Sequence, residues 1–191
     1  MKLNKSLLLT LLVFIAAASL YRLVPNRPLG FAPQIAMALF AGSVIRSRAN
    51  AFAIPLVSMF ISDLLFELLF NAGISAYGGF YQGQLLNYIL LVSLTIFGFF
   101  LRAQKPTGIL AASFAAPTTY FIVSNFLVWI GGGGYGHPQT LNGLMLTYID
   151  GIPFYQGSLY ATVVFCAVFF GGYRLFNSLN LKMLGTERLK G

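Results

Sequence analysis

Charge is what this sequence has least of. Charged residues make up 8% of its 191 residues, and only four of them are acidic. A water-soluble domain carries roughly 25%, so there are too few charges here to cover an aqueous surface. The chain has one histidine and one cysteine. That excludes an intrachain disulfide, and no cluster of Cys, His or carboxylates has metal-ligand spacing. No serine or cysteine sits in a recognisable nucleophile elbow, and a single histidine without a spaced partner makes no triad. The expectation is therefore a protein that is not an enzyme and carries no cofactor or metal. There is no internal repeat, no low-complexity segment and no nucleotide-binding motif.

The scarcity of acids leaves a formal net charge of +8, a balance that elsewhere suggests nucleic acid. Here the basic residues stand singly or in pairs between apolar runs. They read as topology signals, and no nucleic-acid partner is expected.

What the chain does have is hydrophobic length. Apolar residues make up 58% of it. Six runs stand out, at about 6–21, 30–45, 51–70, 84–101, 108–130 and 157–176. None alternates with period two, and in lipid the backbone must satisfy its own hydrogen bonds, so the runs predict helices. At about 20 residues per span the length allows six spans and no separate soluble domain. The expected fold is all-α: one integral membrane bundle of six transmembrane helices occupying 1–191. The first two runs are short, and tilt, local thinning or snorkelling of Arg22 accommodates them. Lys2 and Lys5 before an apolar core ending at Ala16-Ala17-Ala18 imitate a secretory signal, but a retained helix is the preferred reading.

With the N-terminus inside, Lys2, Lys5, Arg46, Arg48, Arg102, Lys105, Arg174, Lys182, Arg188 and Lys190 all fall on the inner side. Only Arg22 and Arg27 fall outside. The positive-inside rule thus predicts both termini in the cytoplasm. The inner turns are short, whereas the outer connections 71–83 and 131–156 are long, aromatic and rich in glycine. Segment 141–149 reads as a short interfacial or re-entrant helix. Small residues at four-residue spacing (Gly108, Ala112 and Ala116; Ala38 and Gly42; Ala167 and Gly171) read as close helix contacts. Pro117 is expected to bend its helix.

Asp63 is the most informative position. It lies about twelve residues into the third run, roughly 18 Å along a helix. A carboxylate at that depth is costly, and such residues normally face the bundle interior or a wet cavity. Glu67 is one turn further out. Asn87, Ser124, Asn125 and Trp129 fall at a similar depth on other helices. The loops add Tyr77, Tyr81, Gln84, Tyr135, His137, Tyr148, Asp150 and Tyr155. Aromatic walls with a few placed polar groups suit a small-molecule pocket. Asp63, Asn87, Asn125, Trp129, Tyr148, Asp150 and Tyr155 are the expected substrate-binding residues. Each also has a structural reading: an interfacial aromatic anchor for Trp129 and the tyrosines, and interhelical hydrogen bonding for the asparagines.

Phe31-Ala32-Pro33-Gln34-Ile35-Ala36-Met37-Ala38-Leu39-Phe40-Ala41-Gly42 resembles the second-helix signature of a bacterial family of small, uncharacterised membrane proteins linked to transport. Pro55 through Asp63, Ser124-Asn125-Phe126-Leu127-Val128-Trp129 and Gly151-Ile152-Pro153-Phe154-Tyr155 fit the same pattern. That family in turn resembles the substrate-binding S components of energy-coupling-factor vitamin transporters. The resemblance implies six helices in the bacterial cytoplasmic membrane, cytoplasmic termini, and an outer-face pocket covered by loops. It also implies docking of a transmembrane coupling subunit with ATPases through small residues of the first helix, here Ala16, Ala17, Ala18 and Ser19. Two functions fit: a subunit that binds a vitamin-sized solute for uptake, or a non-catalytic accessory subunit of a larger membrane complex.

Overall fold

In the computed structural model, the backbone is described for residues 5–101 and 105–188, and side chains for 7–101 and 105–178. Lys2, Arg102 and Lys190 of the charge count lie outside the described residues, as do the side chains of Lys5, Lys182 and Arg188. All regular structure among the described residues is helical: α1 (Lys5–Tyr21), α2 (Gln34–Val44), α3 (Arg48–Asn71), α4 (Gln84–Ser93), α5 (Thr95–Phe99), α6 (Pro106–Ile130) and α7 (Leu141–Arg188). Three helices are long and apolar enough to cross a membrane: α3, α6 and the part of α7 from Leu141 to Ser178. The expected six are not reached on that measure, because Leu7–Tyr21, Gln34–Val44 and Gln84–Phe99 are shorter apolar helices.

The second run departs most from expectation. Only 11 residues of it are helical, about 16 Å of rise. The preceding residues 22–33 run as irregular chain among the helix ends. Pro28 and Pro33 lack the N–H that a continuous helix would need. The short α2 is nevertheless the centre of the molecule. Ten of its residues are buried, and Ala36 through Ala41 are fully enclosed. Phe40 meets Phe14 of α1 and Phe169, Phe170 and Tyr173 of α7, with ring centroids 5.3–6.1 Å apart. On its other side α2 crosses α5 at backbone contact. A Cβ on Gly42 would lie 2.4 Å from the Thr95 carbonyl oxygen, and one on Gly98 would lie 2.4 Å from that of Leu39.

The fourth run is divided at Leu94. There the Leu94 and Phe97 amides bond to carbonyls three residues back (3.2 and 3.1 Å), the tighter pitch of a 3₁₀ turn. At the end of the chain the opposite happens. Segment 141–149 is not a separate helix, because α7 continues through Gly143, Gly151, Pro153 and Gly157. The connection after α6 is therefore 131–140 rather than 131–156. These glycines are buried contact points, not breaks. A Cβ would lie 1.9 Å from the Pro138 oxygen at Gly143 and 1.8 Å from the Leu29 oxygen at Gly157.

Of the small-residue ladders, Ala38, Gly42, Ala112 and Ala116 are buried. Ala167 and Gly171 face outward, and space is open around Gly171. The periphery is apolar: Leu12, Phe60, Leu64, Leu110, Ile122 and Val168 are all more than 40% exposed.

Candidate functional site

The connections 22–33, 72–83 and 131–140 gather at one end of the bundle, and the charged groups of the interior lie just beneath them. Asp63, 2% exposed, is the hub. Arg22 Nη1 is 2.6 Å from its Oδ1, and also donates to Ser62 Oγ and to the Met59 carbonyl. Gln84 Nε2 donates to Asp63 Oδ2 at 2.7 Å, and the Tyr88 hydroxyl donates to the same oxygen. Two helices, α3 and α4, and the first connection are thus tied to one carboxylate. Arg22 does not snorkel; it turns inward because the only way to lodge a buried carboxylate is to pair it and fill its lone pairs. The 72–83 connection is pressed onto the same turn of α3. The Gly79 amide donates to Glu67 Oε2 at 2.9 Å, and a Cβ on Gly79 would lie 1.7 Å from the Asp63 carbonyl oxygen.

Beside this hub lies a half-open cavity of about 380 Å³, walled by residues 22–35, by Met59, and by α4, α6 and α7. Its aromatic wall is Tyr120, Phe121, Phe154 and Tyr155. Phe121 and Tyr155 stack at 4.7 Å, and the Tyr155 hydroxyl is 2.9 Å from Thr118 Oγ1. Asn87 accepts from the Tyr120 hydroxyl at 2.6 Å and donates to that of Tyr81 at 2.7 Å. Asn125 donates to the Phe121 carbonyl at 2.8 Å. Ser158 donates to the Gly30 carbonyl at 3.1 Å, which fixes the irregular segment against α7. Arg27, half-buried, donates to the Phe31 carbonyl at 3.1 Å. Burial first, and then the charge of Arg22, press its guanidinium below the ordinary pKa. A second, more open recess of about 650 Å³ shares Asn87, Tyr120, Ser124 and Val128 and extends toward Gly131 and Gly133.

Of the expected binding residues, Asn87, Asn125 and Tyr155 line the first cavity, as does Ser124. Asp63 sits behind the wall and holds Arg22, which lines it. Trp129, Tyr148 and Asp150 are not among its lining residues. Trp129 Nε1 donates to the Pro138 carbonyl at 3.1 Å, the Tyr148 hydroxyl to that of Ile122 at 3.0 Å, and Asp150 is 2.6 Å from His137 Nε2. These three bind the 131–140 connection and the top of α7 to α6. Tyr77 and Tyr135 are exposed. On α1, Ala16 and Ala17 are exposed, but Ala18 and Ser19 are each 1% exposed inside the bundle. Ser19 donates to the Ser58 carbonyl of α3 at 2.9 Å and Ala18 belongs to the hydrophobic core, so neither is open to a partner.

Sequence reasoning missed Arg22, Arg27 and Gln34. The arginines had been absorbed into the topology count. Gln34 carried a signal, an amide within an otherwise apolar run, which in a membrane is a functional pointer.

Fold and site together define a helical bundle, apolar on its periphery, with a polar and aromatic cavity at one end. The chain belongs to a family of unknown function (DUF6580), whose model matches residues 2–184. No curated protein and no solved structure matches it.

Proposed function

We propose that this protein is a membrane-embedded, non-catalytic solute-binding subunit, similar to the S components of vitamin transporters, that captures a vitamin-sized molecule from outside the cell. The apolar periphery supports lipid as its surrounding solvent, since a surface so rich in exposed Leu, Phe and Ile suits few other surroundings. Within the irregular segment 22–33, Arg22, Arg27, Gly30 and Ala32 line the cavity, while Val24, Pro25, Asn26, Pro28 and Leu29 are exposed. The observation that carries the reading is the convergence of Asn87, Asn125 and Tyr155, from three helices, on one cavity of about 380 Å³. That volume lies within the range of small-molecule sites. The 131–140 connection lies at the same end, with Gly132, Gly134 and Gly136 at positive φ (65–69°). Uptake would draw its energy from partner subunits.

The test is purification in mild detergent, followed by mass spectrometry of the small molecules and proteins that accompany the chain. One small molecule retained in near-stoichiometric amount, and lost from Asn87→Ala and Asn125→Ala variants that stay folded, is the expected result. Retention of partner proteins with no small molecule would move the assignment to an accessory subunit of a membrane complex.

A further inference from the structure

The cavity holds more polarity than its own residues use. Gln34, 4% exposed, lines it, and neither its amide nitrogen nor its carbonyl oxygen has a hydrogen-bond partner. Leaving a buried donor or acceptor unsatisfied is costly, and Gln34 carries both. It is the first residue of α2, and no side chain caps that helix. The N–H groups of a first helical turn have no partner within the helix, and the helix dipole places partial positive charge there.

Charge supplies an independent observation. Arg22 and Arg27 both line the cavity, whereas Asp63 is committed to Arg22. Asp150 is engaged by His137 and Glu67 by the Gly79 amide. Among the described residues no carboxylate forms an ion pair with Arg27. Two cations against one anion leave one positive charge in excess beside an open helix N-terminus.

The geometry points to a ligand that is a flat, aromatic-sized organic anion, whose carboxylate or phosphate is held by Arg27 and the start of α2 and whose amide-like edge is read by Gln34. The anion neutralises the excess charge. An adjacent donor and acceptor on the ligand satisfies both atoms of Gln34. A planar body fits against Tyr120, Phe121 and Tyr155. Arg22, held by Asp63, is a positioning residue that adds field without being free to move.

This inference rests on the solute-binding reading, and its test separates the two. The full-length chain in lipid nanodiscs is dialysed against matched pairs of planar probes that carry a lactam edge and differ in charge: orotate with orotamide, and uracil-5-carboxylate with uracil-5-carboxamide. The acid of at least one pair is expected to bind about tenfold more tightly than its amide, the gain from one charge-assisted contact. That preference should vanish in Arg27→Gln and return in Arg27→Lys, with melting temperatures unchanged. Gln34→Leu should weaken the acid and the amide together, and should melt no lower than the parent because it removes an unsatisfied amide. Equal binding of acid and amide, or a preference that survives Arg27→Gln, would overturn the anion assignment and leave solute binding standing. No retention of any probe above empty nanodiscs would overturn both.

Discussion

Replacing Asp63 by leucine should damage the bundle more than any other single change to a polar residue. The substitution leaves the Arg22 guanidinium, now 2.6 Å from its counter-ion, without one. It also removes the acceptor used by Gln84 and Tyr88. Breaking a buried pair by deleting one partner costs about 3–5 kcal/mol. Arg22 retains some exposure, 19% of its side chain, so its charge is partly relieved and the lower bound of about 3 kcal/mol applies. For a chain of this size that corresponds to a melting temperature roughly 6–12 °C lower. Arg22→Met in the same chain removes the orphaned cation, so the double variant should recover a large part of the loss. That recovery separates a charge effect from a packing effect, and a double-mutant cycle isolates it. The assay is thermal unfolding in one detergent, followed by helical circular dichroism, for the parent, both single variants and the double. Asp63→Leu melting within about 2 °C of the parent, or a double variant no better than the worse single one, would refute the account of Asp63 as the hub. Glu67→Gln is a control, because an amide oxygen still accepts from the Gly79 amide; it should shift melting little.

Other consequences follow from particular contacts. Asn125→Ala should weaken solute binding without unfolding the bundle, while Trp129→Ala should leave equilibrium affinity nearly unchanged, since the indole holds Pro138 and is outside the cavity wall; equal losses in a binding titration would contradict that division. Gly157→Ala forces a Cβ against the Leu29 carbonyl and should destabilise by more than about 1 kcal/mol. Gly171→Ala enters open space on a helix and should be neutral or stabilise by up to about 1 kcal/mol. Comparing their melting curves tests the assignment of contact glycines in α7. For topology, a cysteine at Tyr77, 79% exposed, should react with an impermeant maleimide in intact cells, and one at Ser47 only after permeabilisation. Labelling of Ser47→Cys in intact cells would reverse the orientation.

Composition and hydrophobic runs alone were enough to determine the helical class, the approximate positions of most helices and the interior placement of Asp63. Those properties depend on transfer energetics and on hydrogen bonds that a helix makes within itself, so each segment reports its own. Counting residues along a helix measures height, and Asn87 and Asn125, put at one level by that count, line the same cavity. Trp129, four residues from Asn125, shares roughly the same face but stands about 6 Å higher, where its indole meets the Pro138 carbonyl instead of the cavity. The glycines of α7 were unreadable as well. A glycine that ends a helix and one that admits a neighbouring carbonyl look alike until the neighbour, Leu29 or Pro138, is in place. The pairing of Arg22 with Asp63, the start of α2 at Gln34 and the company of Arg27 were decided by tertiary structure alone. Each depends on residues 22–33 folding back among the helices, where a charge or an amide must find whatever partner the other helices present.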